Sequence, residues 1–333
     1  MEREFWHDKD FPYYLVTLKP FDTLRGSEDG SGFTNAFWLY LSKEDSFSYD
    51  IENMLAHESF HTWNPLKMGA MQEPAESEYW FSEGFTVYYS DVTLLRSGLL
   101  SLPEYVEILN KRIREYESSP VKNLSNKEVV ARYREYSVNQ LPDVRGPILA
   151  LWLDAQIRWQ SKNKSSLDTV MQALVRDAEK RPALELSSER VLRKAGKHLN
   201  RGSRETFRSL VKDGKEIPVP DFPGNLCVHM SVDEVPPFDL GFDADVFRAK
   251  KQISAVKPDS EAFRAGVRDG QQVVGTSIYF GDATKPVRLT VRSDGGSQKI
   301  EYFPSGKPIS IPQYQLDKDA WASSPGRCMS PKN

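Results

Sequence analysis

The sequence predicts an α+β chain in two parts, a domain made of a small sheet plus a helical half and then a smaller, mainly-β unit. Three observations carry this reading. Apolar residues alternate in short runs before residue 45, then recur at three- and four-residue spacing as far as residue 198. They return to alternation after a proline-rich stretch at residues 217–224, which holds Pro218, Pro220 and Pro223. At 333 residues, with 39% hydrophobic and 27% charged, the chain has the size of about two domains and an ordinary globular composition.

The elements follow in order. Residues 13–19 and 36–42 read as the first strands. Asp50 is placed to cap a helix whose Ile51, Met54 and Leu55 face a core, and Asn64-Pro65 ends it, because the residue before proline is held out of the α region. Residues 80–89 read as a second helix with Glu83 in its first turns. Helical spacing then covers residues 103–116, 127–136, 146–160, 166–178 and 188–198, with Ser101 and Ser166 as caps. Beyond the proline boundary, strands are expected at 253–256, 272–274 and 287–291, with a short helix and turn at 259–270. The implied organisation is a first domain at 1–215, a second at 225–310 and a tail at 311–333.

The chemistry lies in Met54-Leu55-Ala56-His57-Glu58-Ser59-Phe60-His61-Thr62-Trp63-Asn64. His57 and His61 stand one helical turn apart around Glu58, the HExxH pattern, and residues i and i+4 project from one helix face. Both imidazoles can therefore meet one zinc ion, with Glu58 beside the metal rather than on it, placed to act as general base. A zinc site that keeps an open position needs a third protein ligand, and Glu83 is the natural one. The ion expected is one Zn2+ per chain, and the chain has only five histidines.

HESFHTWNPLKM followed by WFSEGFTVYYSD resembles the glycyl aminopeptidase family of zinc metallopeptidases, within the gluzincin group. Leu141-Pro142-Asp143-Val144-Arg145-Gly146, the segment 151–158 and Ser166-Leu167-Asp168 extend the similarity, which runs from about residue 11 to residue 176. The resemblance implies a thermolysin-like catalytic domain with zinc on His57, His61 and Glu83 and Glu58 as base, acting on peptides, as an aminopeptidase on short ones. It also implies a C-terminal PDZ-like domain, with Leu240-Gly241-Phe242 as a loop able to hold a peptide C-terminus; the polar Asp243-Ala244-Asp245 beside it disfavours a carboxylate ligand and favours a pure packing role. The family's N-terminal β domain has no expected counterpart in this sequence, which opens at the first strands of the catalytic domain, as a piece of a longer chain would.

Two positions depart from the family. Its Leu-Pro-Tyr-x-Arg-Gly tyrosine, expected to donate a hydrogen bond to the oxyanion, is Asp143 here; Tyr133 and Tyr136 lie upstream and read as packing residues. The family's amine-recognising glutamate is replaced by Thr34, in a 32–38 stretch expected to align the substrate, and Glu73, Glu76 and Glu78 read as solvated loop charges. A zinc-binding pseudo-peptidase that holds peptides through its cleft or its PDZ-like domain is therefore the alternative.

The net charge of −3 gives no basic stripe for nucleic acid, and no apolar run reaches the 18 residues a membrane span needs. Cys227 and Cys328 match no metal spacing, and two free thiols are expected. The amino terminus has no signal-peptide pattern. That reads as cytoplasmic for a full-length chain, and as periplasmic or secreted for a piece of a longer one.

Overall fold

The computed structural model describes residues 1–8, 13–22, 29–33, 35–43, 47–221, 227–293, 296–323 and 328. A short helix α1 (Glu2–Trp6) precedes three strands, β1 (Leu15–Phe21), β2 (Asp29–Phe33) and β3 (Ala36–Ser42). β3 is central: β1 runs parallel to it and β2 antiparallel, with Gly32 opposite Phe37. Phe37 and Leu39 alternate inward from β3 and pack on Ile51 of the next helix, which seats the sheet on that helix.

That helix, α2 (Tyr49–Phe60), is capped at Ser48 rather than at Asp50, which falls inside the first turn. It ends one turn before the cis Asn64–Pro65 bond, with His61 still in helical conformation. The helical half continues with α3 (Tyr79–Ser82), α4 (Gly84–Ser97), α5 (Leu102–Ser118), α6 (Asn126–Arg132), α7 (Tyr136–Asn139), α8 (Leu141–Ser161), α9 (Leu167–Lys180), α10 (Ser188–Ala195) and α11 (Arg201–Lys212). The caps at Ser101 and Ser166 are present, Ser101 in a reciprocal box with Glu104. The helix expected at 127–136 splits in two, and α8 begins at Leu141 rather than at 146, so Asp143 lies in its first turn. α11 was not expected, although Phe207, Leu210 and Val211 carry helical spacing and are buried.

The C-terminal part comprises β4 (Val228–Val235), α12 (Ala244–Lys250), α13 (Glu261–Arg264), β5 (Gln272–Ser277), β6 (Val287–Ser293), β7 (Gly296–Tyr302), β8 (Ile309–Leu316) and α14 (Lys318–Ser323). Strands β5-β6-β7 form an antiparallel sheet over a core that includes Phe242, Phe247, Val267, Val287 and Ile300. β4 and β8 pair separately and lie on α5, where the Asn110 side chain bonds both backbone groups of Tyr314 at 2.7 and 2.8 Å. Most of β8 thus falls in the stretch expected as a tail.

Residues 253–256 form no strand. A single bridge joins Gln252 to Gln272, and Ala255 turns left-handed at φ 53°, which breaks the extension. The expectation of free thiols is overturned as well: Cys227 and Cys328 form a disulfide across a sequence separation of 101, and both are buried in the main core. Cysteine spacing along the sequence carried no information about that proximity.

The candidate metal centre

The main core holds α2 rigidly beneath the sheet. Phe60 is fully buried and stacks on Tyr89 of α4 at 4.9 Å. At the other end of α2, the buried Asp91 carboxylate accepts from Tyr49 (2.6 Å), Asn53 (2.7 Å) and Arg112, joining α2, α4 and α5. A buried carboxylate needs this many donors to offset its lost hydration.

On this frame His57 and His61 present Nε2 atoms 2.9 Å apart. Oε2 of Glu83 lies 3.5 Å from the first and 3.2 Å from the second. A tetrahedral ion with bonds of about 2.0–2.1 Å separates its donors by roughly 3.3 Å, so the three atoms are spaced to hold one. Among the described residues, these three form the cluster of His, Cys, Asp and Glu able to bind a metal.

Glu83 is delivered by a helical run that passes through it. Its N–H closes on the Tyr79 carbonyl at 3.0 Å, and its own carbonyl accepts from Val87 N–H at 2.9 Å. Gly84, the next residue, meets Gly146 of α8 so closely that a Cβ on either would overlap the Cα of the other. This crossing brings the Glu83 and Asp143 segments together, and it explains a glycine in each motif.

Asn64 ties the two ligand segments to each other. Its carbonyl lies 2.8 Å from Nδ1 of His61 and accepts from it, which turns Nε2 towards the cluster. Its fully buried side chain donates to the Phe81 carbonyl (3.2 Å), the Ser82 carbonyl (3.3 Å) and Thr86 Oγ1 (3.1 Å), just before and after Glu83. From the sequence this residue read only as a helix terminator; the run His-Thr-Trp-Asn was the available signal.

Electrostatics bind the three donors to one another. Burial opposes a charged His61, but the Glu83 carboxylate outweighs it and lifts His61 to about 9. Glu83 in turn is held well below the usual carboxylate range, its burial being overcome by hydrogen bonds from the two histidines.

Glu58 lies under the edge strand β2. A Cβ on Gly32 would sit 3.1 Å from Glu58 Oε2, and one on Gly30 would sit 3.5 Å from its Cγ, so glycines there let the strand pass over the carboxylate. Beside Glu58 and His57 opens a cleft of about 340 Å3 that is also lined by Gly30, Asn53, Arg112 and Glu115. α5 supplies its far wall, which the sequence did not reveal.

The remaining candidates separate. Asp143 lies outside the three-donor cluster, and its carboxyl is pushed up to about 6 by burial and then by the Glu83 charge. Tyr133 packs against Tyr79 at 5.3 Å, and its phenol is raised by burial and by the charges of Tyr79, Asp143 and Glu83. Tyr136 is a packing residue, with the Arg248 guanidinium 3.7 Å from its ring centre. Glu78 is buried and accepts from Ser188 at 2.8 Å, whereas Glu73 is exposed, and none of Glu73, Glu76 and Glu78 lines the cleft. Thr34 lies outside the described residues. In the second unit, the Gly241 N–H donates to Asp239 (2.9 Å) within its own loop.

In class, this is an α+β protein whose fold is similar to that of an aminopeptidase structure. An aminopeptidase N family protein from Idiomarina loihiensis superposes with a TM-score of 0.65 at 15% identity, over 99% of this chain and 64% of that one. The chain therefore spans about two thirds of that protein's length. The family model of M61 glycyl aminopeptidase matches residues 50–169, the segment that holds His57, Glu58, His61 and Glu83, and this bears out the resemblance read from the motifs. No curated protein matches the chain. Among the described residues, no helix is long and apolar enough to cross a membrane.

Proposed function

We propose that the chain is a zinc-dependent peptidase of the aminopeptidase type, in a thermolysin-like domain at 1–215. The observation that carries this is the convergence of His57 Nε2, His61 Nε2 and Glu83 Oε2 within 2.9–3.5 Å, with Glu58 beside them and outside the donor set. His57, His61 and Glu83 would hold the ion, which when bound polarises a scissile carbonyl and acidifies water. Glu58 takes a proton from the attacking water and returns it to the leaving amine. The backbone that aligns the peptide is β2, since both edges of β3 are already paired. On this reading the 32–38 stretch acts through residues 32 and 33, which belong to β2.

Asp143 favours a second reading, a weakened or inactive peptidase that binds peptides. A carboxyl near 6 is ionised about tenfold over its acid form at pH 7, and it cannot then donate to an oxyanion. The lost donor costs roughly 2.7–4 kcal/mol of transition-state stabilisation. The PDZ-like reading of 225–310 is supported by that unit's own core, whereas the Gly241–Asp239 bond competes with a peptide carboxylate. The Cys227–Cys328 disulfide favours an oxidising compartment, periplasmic or extracellular.

Zinc content and peptide hydrolysis by the native protein, Glu58→Gln and Asp143→Tyr separate these readings. Stoichiometric zinc with Glu58-dependent hydrolysis supports the peptidase. Zinc without it leaves the binder, and a large gain in Asp143→Tyr marks a weakened enzyme. Absence of stoichiometric zinc rejects both.

A further inference from the structure

The cleft beside Glu58 carries charged groups that the metal centre does not account for. Of the three metal donors only His57 reaches its wall, whereas Glu58 lines it directly. A base that hands its proton to the departing nitrogen must have that nitrogen on its own side. The cleft therefore receives the part of the peptide that follows the scissile bond.

Its charge is one-sided. Asp50, Glu58 and Glu115 line it with carboxylates, against the ammonium of Lys111. Arg112 also lines it, but its guanidinium is committed to Asp91 through two hydrogen bonds. Glu115 has no hydrogen-bond or ion-pair partner among the described residues, although it is only partly exposed. Gly281 of the C-terminal unit closes over it: with φ 82°, a Cβ there would lie 2.7 Å from Glu115 Oε1. Burial raises its carboxyl and the Asp91 charge adds to this, against the charges of Lys111, Arg112 and Arg114. A half-buried carboxylate without a partner is costly, and a ligand cation reaching it would remove that cost. The cleft has room for one long side chain.

Resting on the peptidase reading, we propose that Glu115 is a specificity-determining residue that binds the cationic side chain, lysine or arginine, of a peptide residue on the leaving-group side of the scissile bond. The aliphatic stem lies along Met54 and Ile108, which line the same cleft. The tip meets Glu115 beneath the Gly281 loop.

The test uses dye-labelled alanine pentapeptides with one lysine, norleucine or glutamate scanned through each position. Binding is read by fluorescence anisotropy on zinc-loaded Glu58→Gln protein, and mass spectrometry of native-enzyme products locates the cut bond. At one position beyond the cut, the lysine peptide is expected to bind at least about tenfold tighter than the norleucine peptide. Glu115→Gln brings that ratio close to one, and Glu115→Lys reverses the preference towards glutamate, an inversion that misfolding cannot mimic. A ratio near one before substitution, a ratio that survives Glu115→Gln, or a preferred lysine before the cut bond overturns the proposal. If the native protein cuts nothing, the peptidase reading fails, while the binding ratios still decide the role of Glu115.

Discussion

Asn64→Ala tests whether the two ligand segments are held in register by a single side chain. The Asn64 amide makes three contacts of 3.1–3.3 Å to the run that carries Glu83, all of them buried. Two N–H groups serve three acceptors, so about two net hydrogen bonds are lost, roughly 1 kcal/mol each, plus the cost of carbonyls left short of a donor. Its Oδ1 is buried without a partner, so removing it returns part of that loss. The expected destabilisation without metal is about 2 kcal/mol. The His61–Asn64 bond uses the backbone carbonyl and survives the substitution, so any effect on the metal comes from the placement of Glu83. Weakening such an outer contact lowers metal affinity about 10- to 100-fold. Zinc affinity is measured by competition with a chromophoric chelator, and stability by denaturant unfolding with and without zinc. A variant that loses the expected stability yet binds zinc within about twofold of native would refute the reasoning, because Glu83 would then be held by its own helix alone.

Other outcomes follow from groups around the site. Glu2 is pushed up to about 7, mainly by burial, while its bond from Ser59 works in the other direction. The folded state therefore holds that proton more tightly than the unfolded chain, and the stabilisation this provides below about pH 4.5 is lost as pH rises to about 7. Glu2→Gln should stabilise the protein at about pH 8 by up to about 3 kcal/mol and change little at about pH 4, read by unfolding at the two pH values. The double substitution Cys227→Ser, Cys328→Ser reopens a loop of 101 residues and should cost about 2–5 kcal/mol in the same assay. Gly146→Ala forces α4 and α8 apart and should lower both stability and zinc affinity, measured as for Asn64. Tyr133→Phe tests whether that phenol replaces the tyrosine expected at position 143: a donor role predicts a kcat lower by about a hundredfold with little change in melting temperature, whereas a packing role predicts a lower melting temperature with kcat kept.

The ligand set was legible because HExxH is a local pattern: helical periodicity alone puts His57 and His61 on one face, and a second helical segment could be read around Glu83. Strands β1 and β3 and most helices were legible for the same reason, being short-range repeats in the sequence. What the sequence concealed is what depends on elements meeting. The far wall of the cleft comes from α5, whose residues Lys111, Arg112 and Glu115 read as ordinary charges on a helix. The Cys227–Cys328 pair, the Asn64 tie and the Gly84–Gly146 crossing likewise join segments with no local signature of contact. α8 starts at Leu141, five residues before the expected 146–160, and carries two prolines. Pro142 sits in the first turn, where its missing N–H costs nothing, and Pro147 leaves only the Asp143 carbonyl without its helical donor.

Asp143 is where the local and the long-range readings meet. On its own, burial lifts the carboxyl, and the Glu83 charge lifts it further, towards a neutral acid able to donate as the family's tyrosine would. A divalent ion on the three donors acts in the opposite sense, since a nearby positive charge favours the carboxylate and offsets Glu83. The state that can hold substrate for reaction is thus the state in which Asp143 is least able to donate. On the peptidase reading, another donor, such as the Tyr133 phenol or a backbone N–H of β2, would then have to supply the oxyanion contact. On that reading, metal binding and turnover would therefore depend on different residues: His57, His61, Glu83 and Asn64 for the first, Glu58 and the groups around Asp143 for the second.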